Sequence, residues 1–150
     1  MKYFTSIVPL KGVPEIWPKV APMLQKSTTV TNLVRVDIAD LLEQCITGQS
    51  TLWIVFSEDK EIVSAFTSQI IEYPQYKALS IQYLGGAKMN EWLSSAMSVT
   101  KSFAMASGCA TMEGYGREGW GRALRKFGWG KAYTAFEVDL SDQAMAQAAE

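Results

Sequence analysis

Apolar residues along this chain come as short continuous runs and as helical stripes, divided by Gly, Pro and charged breaks. Residues 3–10 are apolar and β-prone, which predicts a first strand. Pro14 stands where a helix can start, and Val13, Ile16, Trp17, Val20, Ala21 and Leu24 keep helical spacing. Pro18 and Pro22 interrupt that stripe. An internal proline removes a backbone donor and crowds the preceding turn, so the expectation is a short, kinked or broken helix. Asp37 reads as an N-cap. Ile38, Leu41, Leu42, Cys45 and Ile46 then repeat at helical intervals, and Gly48 supplies the stop.

Residues 51–56 form a continuous apolar run, expected as a buried strand. Ser57, Glu58, Asp59 and Lys60 turn the chain, and residues 61–73 return as a long strand closed by Pro74, which together predict an antiparallel hairpin. Residues 77–84 are the next strand. After the Gly85-Gly86 break, Met89, Trp92, Leu93, Ala96, Thr100 and Phe103 share one helical face, ended by Gly108. Residues 110–115 predict a short strand. Trp120, Ala123, Leu124 and Phe127 predict a fourth helix ending at Gly128, residues 131–140 a last strand, and the tail from Ser141 a frayed helix. The order β-α-α-β-β-β-α-β-α-β predicts a mixed-sheet α/β (α+β) fold built as a single domain over residues 1–150. The strand-helix-strand unit over residues 78–115 is expected as a right-handed crossover joining parallel strands.

Composition narrows the chemistry. The 150 residues suit one core, and 48% hydrophobic content with five Trp, six Tyr and six Phe is that of a globular chain. A net charge of −1 gives no global basic field for nucleic acid. No apolar run reaches the roughly 18 residues of a membrane span, and the N-terminal residues carry no leader pattern, so a cytoplasmic protein is expected. The chain has no histidine, which excludes Ser-His-Asp and Cys-His triads and His-ligated zinc. Two cysteines, Cys45 and Cys109, are too few for a four-thiolate site, so no metal is expected. Both cysteines lie in apolar helical contexts and read as small buried hydrophobes. A general base must come from Asp, Glu, Tyr, Lys, Cys, a terminus or water.

Tyr83, Leu84, Gly85, Gly86, Ala87 and Lys88 occupy the step from a strand into a long helix. Glycines there either open a backbone cradle for an anion at the helix N-terminus or make a tight turn. A lysine in the first helical turn opposes the helix dipole, and a bound phosphate reverses that sign. Arg117, Arg122, Arg125 and Lys126 form a local basic patch, read either as an anion site or as a solvated helix face. Arg117 follows the end of the residue 110–115 strand, where a cleft opens.

This order of elements, with the Tyr83-Leu84-Gly85-Gly86 loop and the Gly116 to Trp129 segment, resembles the GNAT family of acetyl-coenzyme A-dependent N-acetyltransferases. Within that family the chain looks similar to small GNAT-like proteins of tailed bacteriophages. The resemblance implies that the strands over residues 77–84 and 110–115 splay apart to admit the cofactor. It also implies that Tyr83, Leu84, Gly85, Gly86, Ala87, Lys88 and Arg117 hold acetyl-coenzyme A. The family's loop usually opens with Gln or Arg, for which only a shifted Gln82 is available here. Leu124 stands where many members carry a tyrosine acid. The catalytic residues are therefore unassigned, with Tyr83, Glu113 and Tyr115 the nearest ionisable replacements. The implied activity is acetyl transfer to an unidentified amine on a small molecule or protein, through a degenerate cofactor loop, with a homo-oligomer as a further expectation. The alternative is a non-catalytic GNAT-fold phage accessory or structural protein that binds another protein.

Overall fold

A computed structural model describes residues 1–29, 33–116 and 118–141. The chain divides into two compact units, Met1–Gly116 and Arg117–Glu150. In the first unit, strands β1 (Tyr3–Ile7), β2 (Thr51–Ser57), β3 (Ile62–Glu72), β4 (Lys77–Gly86) and β5 (Thr111–Gly114) form one sheet in chain order. The first four run antiparallel to their neighbours, and β5 runs parallel to β4. Helices α1 (Val13–Gln25), α2 (Ile38–Thr47) and α3 (Met89–Ala106) complete this unit.

The first helix does not break at its prolines. It runs unbroken for 13 residues, so of the short, kinked or broken helix that was expected, the short and broken forms are not met. Pro14 sits in the first turn, where its missing N–H has no helical partner to lose. Pro18 and Pro22 follow at four-residue steps, and all three prolines lie on the exposed face. The carbonyls they leave unbonded belong to Pro14 and Pro18, on the side that meets water, where solvent replaces the lost bonds. The opposite stripe, Val13, Trp17, Val20 and Leu24, is buried.

The second helix follows its signals closely. Asp37 accepts a bond from the Asp40 N–H at 2.8 Å, and Asp40 returns one from the Asp37 N–H at 3.1 Å, a reciprocal capping box. Gly48, at φ 84°, closes the helix in the left-handed region. Helices α1 and α2 pack on one sheet face, where Val20, Leu24, Leu41, Cys45, Leu52 and Ala65 form a closed cluster. The other face takes α3. There Trp53 stacks on Phe66 at 5.6 Å, meets Phe103 edge-on at 5.2 Å, and donates its indole N–H to Ser68 Oγ at 2.9 Å.

The second unit contains helix α4 (Glu118–Arg125). The N–H of Gly128, at φ 89°, bonds the Arg125 carbonyl, and the Trp129 N–H bonds that of Leu124, the paired bonds of a Schellman ending. The strand expected over residues 131–140 does not form. Phe136, Val138 and Leu140 alternate as a strand face would, yet they are 92%, 74% and 70% exposed. Alternation supplies a face, but a strand needs a ladder partner, and none pairs with this segment among the described residues. The tail helix expected from Ser141 lies outside the described residues, apart from Ser141 itself. No described helix is long and apolar enough to cross a membrane.

Candidate functional site

The site is organised by one extra residue in β4. Thr67 pairs with Tyr83 while Ser68 pairs with Ile81, so Gln82 is the bulged residue. Gln82, the only candidate for the leading position of an anion loop, is thus spent on a bulge at half-buried depth. The bulge coincides with a second change. Strand β5 pairs with β4 only from Ala78↔Thr111 to Ile81↔Gly114. From Gln82 to Gly86, β4 keeps β3 on one side and has no β5 residue on the other. The two strands part at the bulge.

Both glycines belong to the strand, which runs two residues further than expected. Gly85 pairs with Ala65, and its carbonyl accepts from Ser64 Oγ at 2.7 Å. A Cβ on Gly85 would overlap the Met23 carbonyl of α1. Gly86, at φ 129°, pairs with Ser64, and a Cβ there would overlap the Val63 carbonyl. Each glycine therefore answers a close backbone approach. Leu84 faces Phe66 across the ladder.

Two exposed residues then carry the chain into α3. The Ala87 N–H donates to the Val63 carbonyl at 2.8 Å, and the Ala87 carbonyl accepts from Trp92 Nε1 at 2.8 Å. Lys88 adopts the left-handed conformation, φ 61° and ψ 31°, and caps α3 without any side-chain hydrogen bond. The Glu91 N–H bonds the Lys88 carbonyl at 2.9 Å, and the Lys88 side chain caps none of the leading N–H groups of this 18-residue helix. Tyr83 to Lys88 form one contiguous segment from the end of β4 into α3. Arg117, the remaining candidate, lies outside the described residues.

Ladder register places further groups beside this turn. Gln69 pairs with Ser80, and Ser80 with Glu113, so the three side chains share a sheet face. That face is the one α2 covers, since Gln69 Nε2 donates to Ser50 Oγ and Ser50 Oγ to Gln44 Oε1. Tyr83 packs against the α1–α2 core on the same face. Burial pushes its phenol above the ordinary value of 10.0, and the Arg35 charge offsets part of that rise. Arg35, Asp40, Glu43 and Gln44 line an open polar cleft on α2. Half-buried Glu113 accepts from the Tyr73 hydroxyl at 2.7 Å. Tyr76, which packs against Tyr73, was not singled out from the sequence. The turn at Pro74 was the available signal, because residues flanking a hairpin turn stand opposite each other. Among the described residues no group of His, Cys, Asp or Glu could hold a metal.

No protein-family model and no curated protein matches this sequence. Solved structures do match its fold. A Trypanosoma brucei acetyltransferase aligns over 93% of this chain and 100% of its own, at TM-score 0.64 and 12% identity. An aminoglycoside acetyltransferase from an uncultured soil metagenomic sample, solved with sisomicin, aligns over 93% and 97%, at TM-score 0.68 and 13% identity. Glucosamine-6-phosphate N-acetyltransferase from Arabidopsis thaliana aligns over 94% and 100%, at TM-score 0.63 and 8% identity. The chain has the GNAT acetyltransferase fold, a mixed α+β architecture on a five-stranded sheet.

Proposed function

We propose that this protein is an N-acetyltransferase that acetylates an amine with acetyl-coenzyme A. The observation that carries the reading is the parting of β4 from β5 at the Gln82 bulge, beside a long helix with no side-chain cap. An unpaired strand edge offers backbone groups to an extended, amide-bearing chain, as in strand addition. The uncapped N-terminus of α3 and the exposed Lys88 offer positive charge to a pyrophosphate. The residues present fit the cofactor in this way: the edge from Gln82 to Gly86 would hold the arm, and Lys88 with the first turn of α3 would hold the phosphates. The glycines serve by letting the backbone come close, since the Ala87 N–H is already given to Val63.

When bound, acetyl-coenzyme A supplies the thioester carbonyl that an amine attacks. The chain's own groups manage protons. Glu113, on the same sheet face as Tyr83, takes the proton that an ammonium acceptor must lose. Tyr83 keeps its phenolic proton at neutral pH, because burial disfavours the phenolate, and would give it to the thiolate that leaves as the amide forms. Positioning by the strand edge contributes several kcal/mol of barrier lowering on its own.

Calorimetric titration with acetyl-coenzyme A and with coenzyme A tests the reading. Saturable binding at micromolar concentration, weakened by Lys88→Glu, supports it. No binding at millimolar cofactor overturns it. A second reading is favoured by the exposed Phe136, Val138 and Leu140. On that reading the protein is a non-catalytic GNAT-fold module, of the kind the phage resemblance suggests, that binds another protein through an apolar surface. Turnover on a small amine would rule it out.

A further inference from the structure

Strand β1 is the outer strand at one end of the sheet, with only β2 beside it. The Glu58 N–H bonds the Lys2 carbonyl at 3.0 Å, and the Val8 N–H bonds the Leu52 carbonyl at 2.8 Å. The even-numbered residues of β1 therefore turn their backbone groups toward β2, and Tyr3, Thr5 and Ile7 turn theirs outward. The Tyr3 carbonyl accepts from Ser95 Oγ of α3 at 3.3 Å, and the Ile7 carbonyl takes only a local bond from Ser6 Oγ at 3.2 Å. Among the described residues, no backbone partner meets Thr5 or Ile7 on the outer side. Proteins commonly guard such an edge with a charge, a proline or a bulge. The strand Tyr3–Ile7 carries none of these.

A hollow runs along the same edge. Helix α1 packs mainly over β3 and β4, which leaves that face of β1 and β2 partly bare. The result is a groove of about 540 Å³. Ser6, Ile54 and Phe56 form its floor, and Glu15, Ile16 and Lys19 of α1 form one wall. Phe4 stands on the same sheet face, two residues from Ser6. It stacks on Phe56 at 5.6 Å and carries the Lys2 ammonium 5.7 Å from its ring centre, yet it is 40% exposed.

These features match a second copy of the same strand. Run antiparallel about a two-fold axis at Ser6, the strands set Thr5 of each copy opposite Ile7 of the other. That register joins the free backbone groups of both copies and asks nothing of the Tyr3 carbonyl. It faces Tyr3 with Pro9, which has no N–H to place. It also sets Phe4 of one copy opposite Val8 of the other, beside Ser6, so each exposed ring closes the open side of the other copy's groove. The Lys2 charge over that ring comes to the end of the groove where Glu15 stands, while Lys19 lies one turn farther along α1. Ring, hollow and charge are thus supplied reciprocally, as a two-fold interface requires. An unrelated extended chain would meet the same backbone groups without this match of side chains.

We propose that this protein dimerises through β1, joining two five-stranded sheets into one. Strand β1 lies at the opposite end of the sheet from β5, so the dimer leaves the parting of β4 and β5 uncovered.

Sedimentation equilibrium of the intact protein is the test. The expected result is a dimer at about 100 μM. Ser6→Lys and Ser6→Glu, each alone, put like charges face to face on the two-fold axis and should weaken the dimer by about tenfold. Mixed in equal amounts, the two variants should pair as well as the parent does, because the facing charges are then opposite in sign. Phe4→Ala removes the ring that closes the groove and should weaken the dimer by about tenfold. Circular dichroism checks that each variant is folded. A parent that stays monomeric overturns the proposal without recourse to any variant. A parent dimer that both Ser6 variants leave intact does the same, as does a failure of the folded variants to pair on mixing. Should a Ser6 variant lose its fold, Phe4→Ala decides, and a dimer it leaves unweakened refutes pairing through β1.

Discussion

Gly85 of β4 lies directly against the backbone of Met23 in α1, so close that a Cβ on the glycine would overlap the Met23 carbonyl. The contact locks the helix to the strand that parts from β5. A backbone carbonyl cannot rotate away as a flexible side chain can. Gly85→Ala should therefore destabilise the protein by about 3 kcal/mol, the upper range of overpacking costs. Denaturant unfolding measures this, and a change below about 1 kcal/mol would mean that α1 shifts freely along the sheet.

Lys88 combines a strained backbone with a useful charge. Its left-handed φ of 61° is unfavourable for a residue with a Cβ, and glycine adopts it without strain. Lys88→Gly should raise stability by about 0.5 kcal/mol, after the added freedom of the unfolded chain is set against the relieved strain. The same change should weaken acetyl-coenzyme A binding by about tenfold through the lost charge. Opposite signs in thermal unfolding and titration would mark Lys88 as retained for the ligand. Equal signs would mark it as structural.

Tyr83 carries the proton donor's role in the proposed reaction. Tyr83→Phe keeps the ring packed against the α1–α2 core, so thermal stability should change little. Turnover on an amine should fall by about a hundredfold, the usual weight of a positioned acid. The sign with pH follows from burial. The phenol sits above its ordinary value of 10.0, so the donor stays protonated throughout the neutral range and activity falls only at higher pH. An alkaline limb that survives in Tyr83→Phe would assign it to another group.

Cys45 makes stability depend on alkaline pH. It is fully buried in the cluster between α2 and the sheet, and burial raises its thiol from 9.0 to about 11. The unfolded chain loses this proton first. The thiol's contribution is therefore complete below pH 9 and disappears as pH rises toward 11. The difference of about two units corresponds to roughly 3 kcal/mol. Urea unfolding across that window should show the decline, and Cys45→Ala should flatten it while lowering stability at neutral pH. A decline unchanged in the variant would place it on the tyrosines.

Most elements were readable from local signals. Helix α2 was legible from Asp37 to Gly48 because its cap, stripe and stop are all encoded within a few residues of one another. The continuity of helix α1 through Pro18 and Pro22 was not legible, since the cost of an internal proline depends on which face meets water. Gly85 and Gly86 were read as a break after the strand, although they end it, and the reason is Met23 and Val63, more than 20 residues away in the chain. The candidate site was half legible. Tyr83 to Lys88 were found as a contiguous segment, while Gln82 as a bulge and Tyr73 beside Glu113 were not.

Period, caps and turn residues carried the order of elements from the first strand to the fourth helix, because each depends on neighbours within a turn or two. Three features came only with long-range packing: the register that makes Gln82 a bulge, the early end of pairing between β4 and β5, and the absence, among the described residues, of a ladder partner for Phe136, Val138 and Leu140. A ladder is a relation between distant segments. No single segment's pattern can state which partner it meets, or where that partner stops.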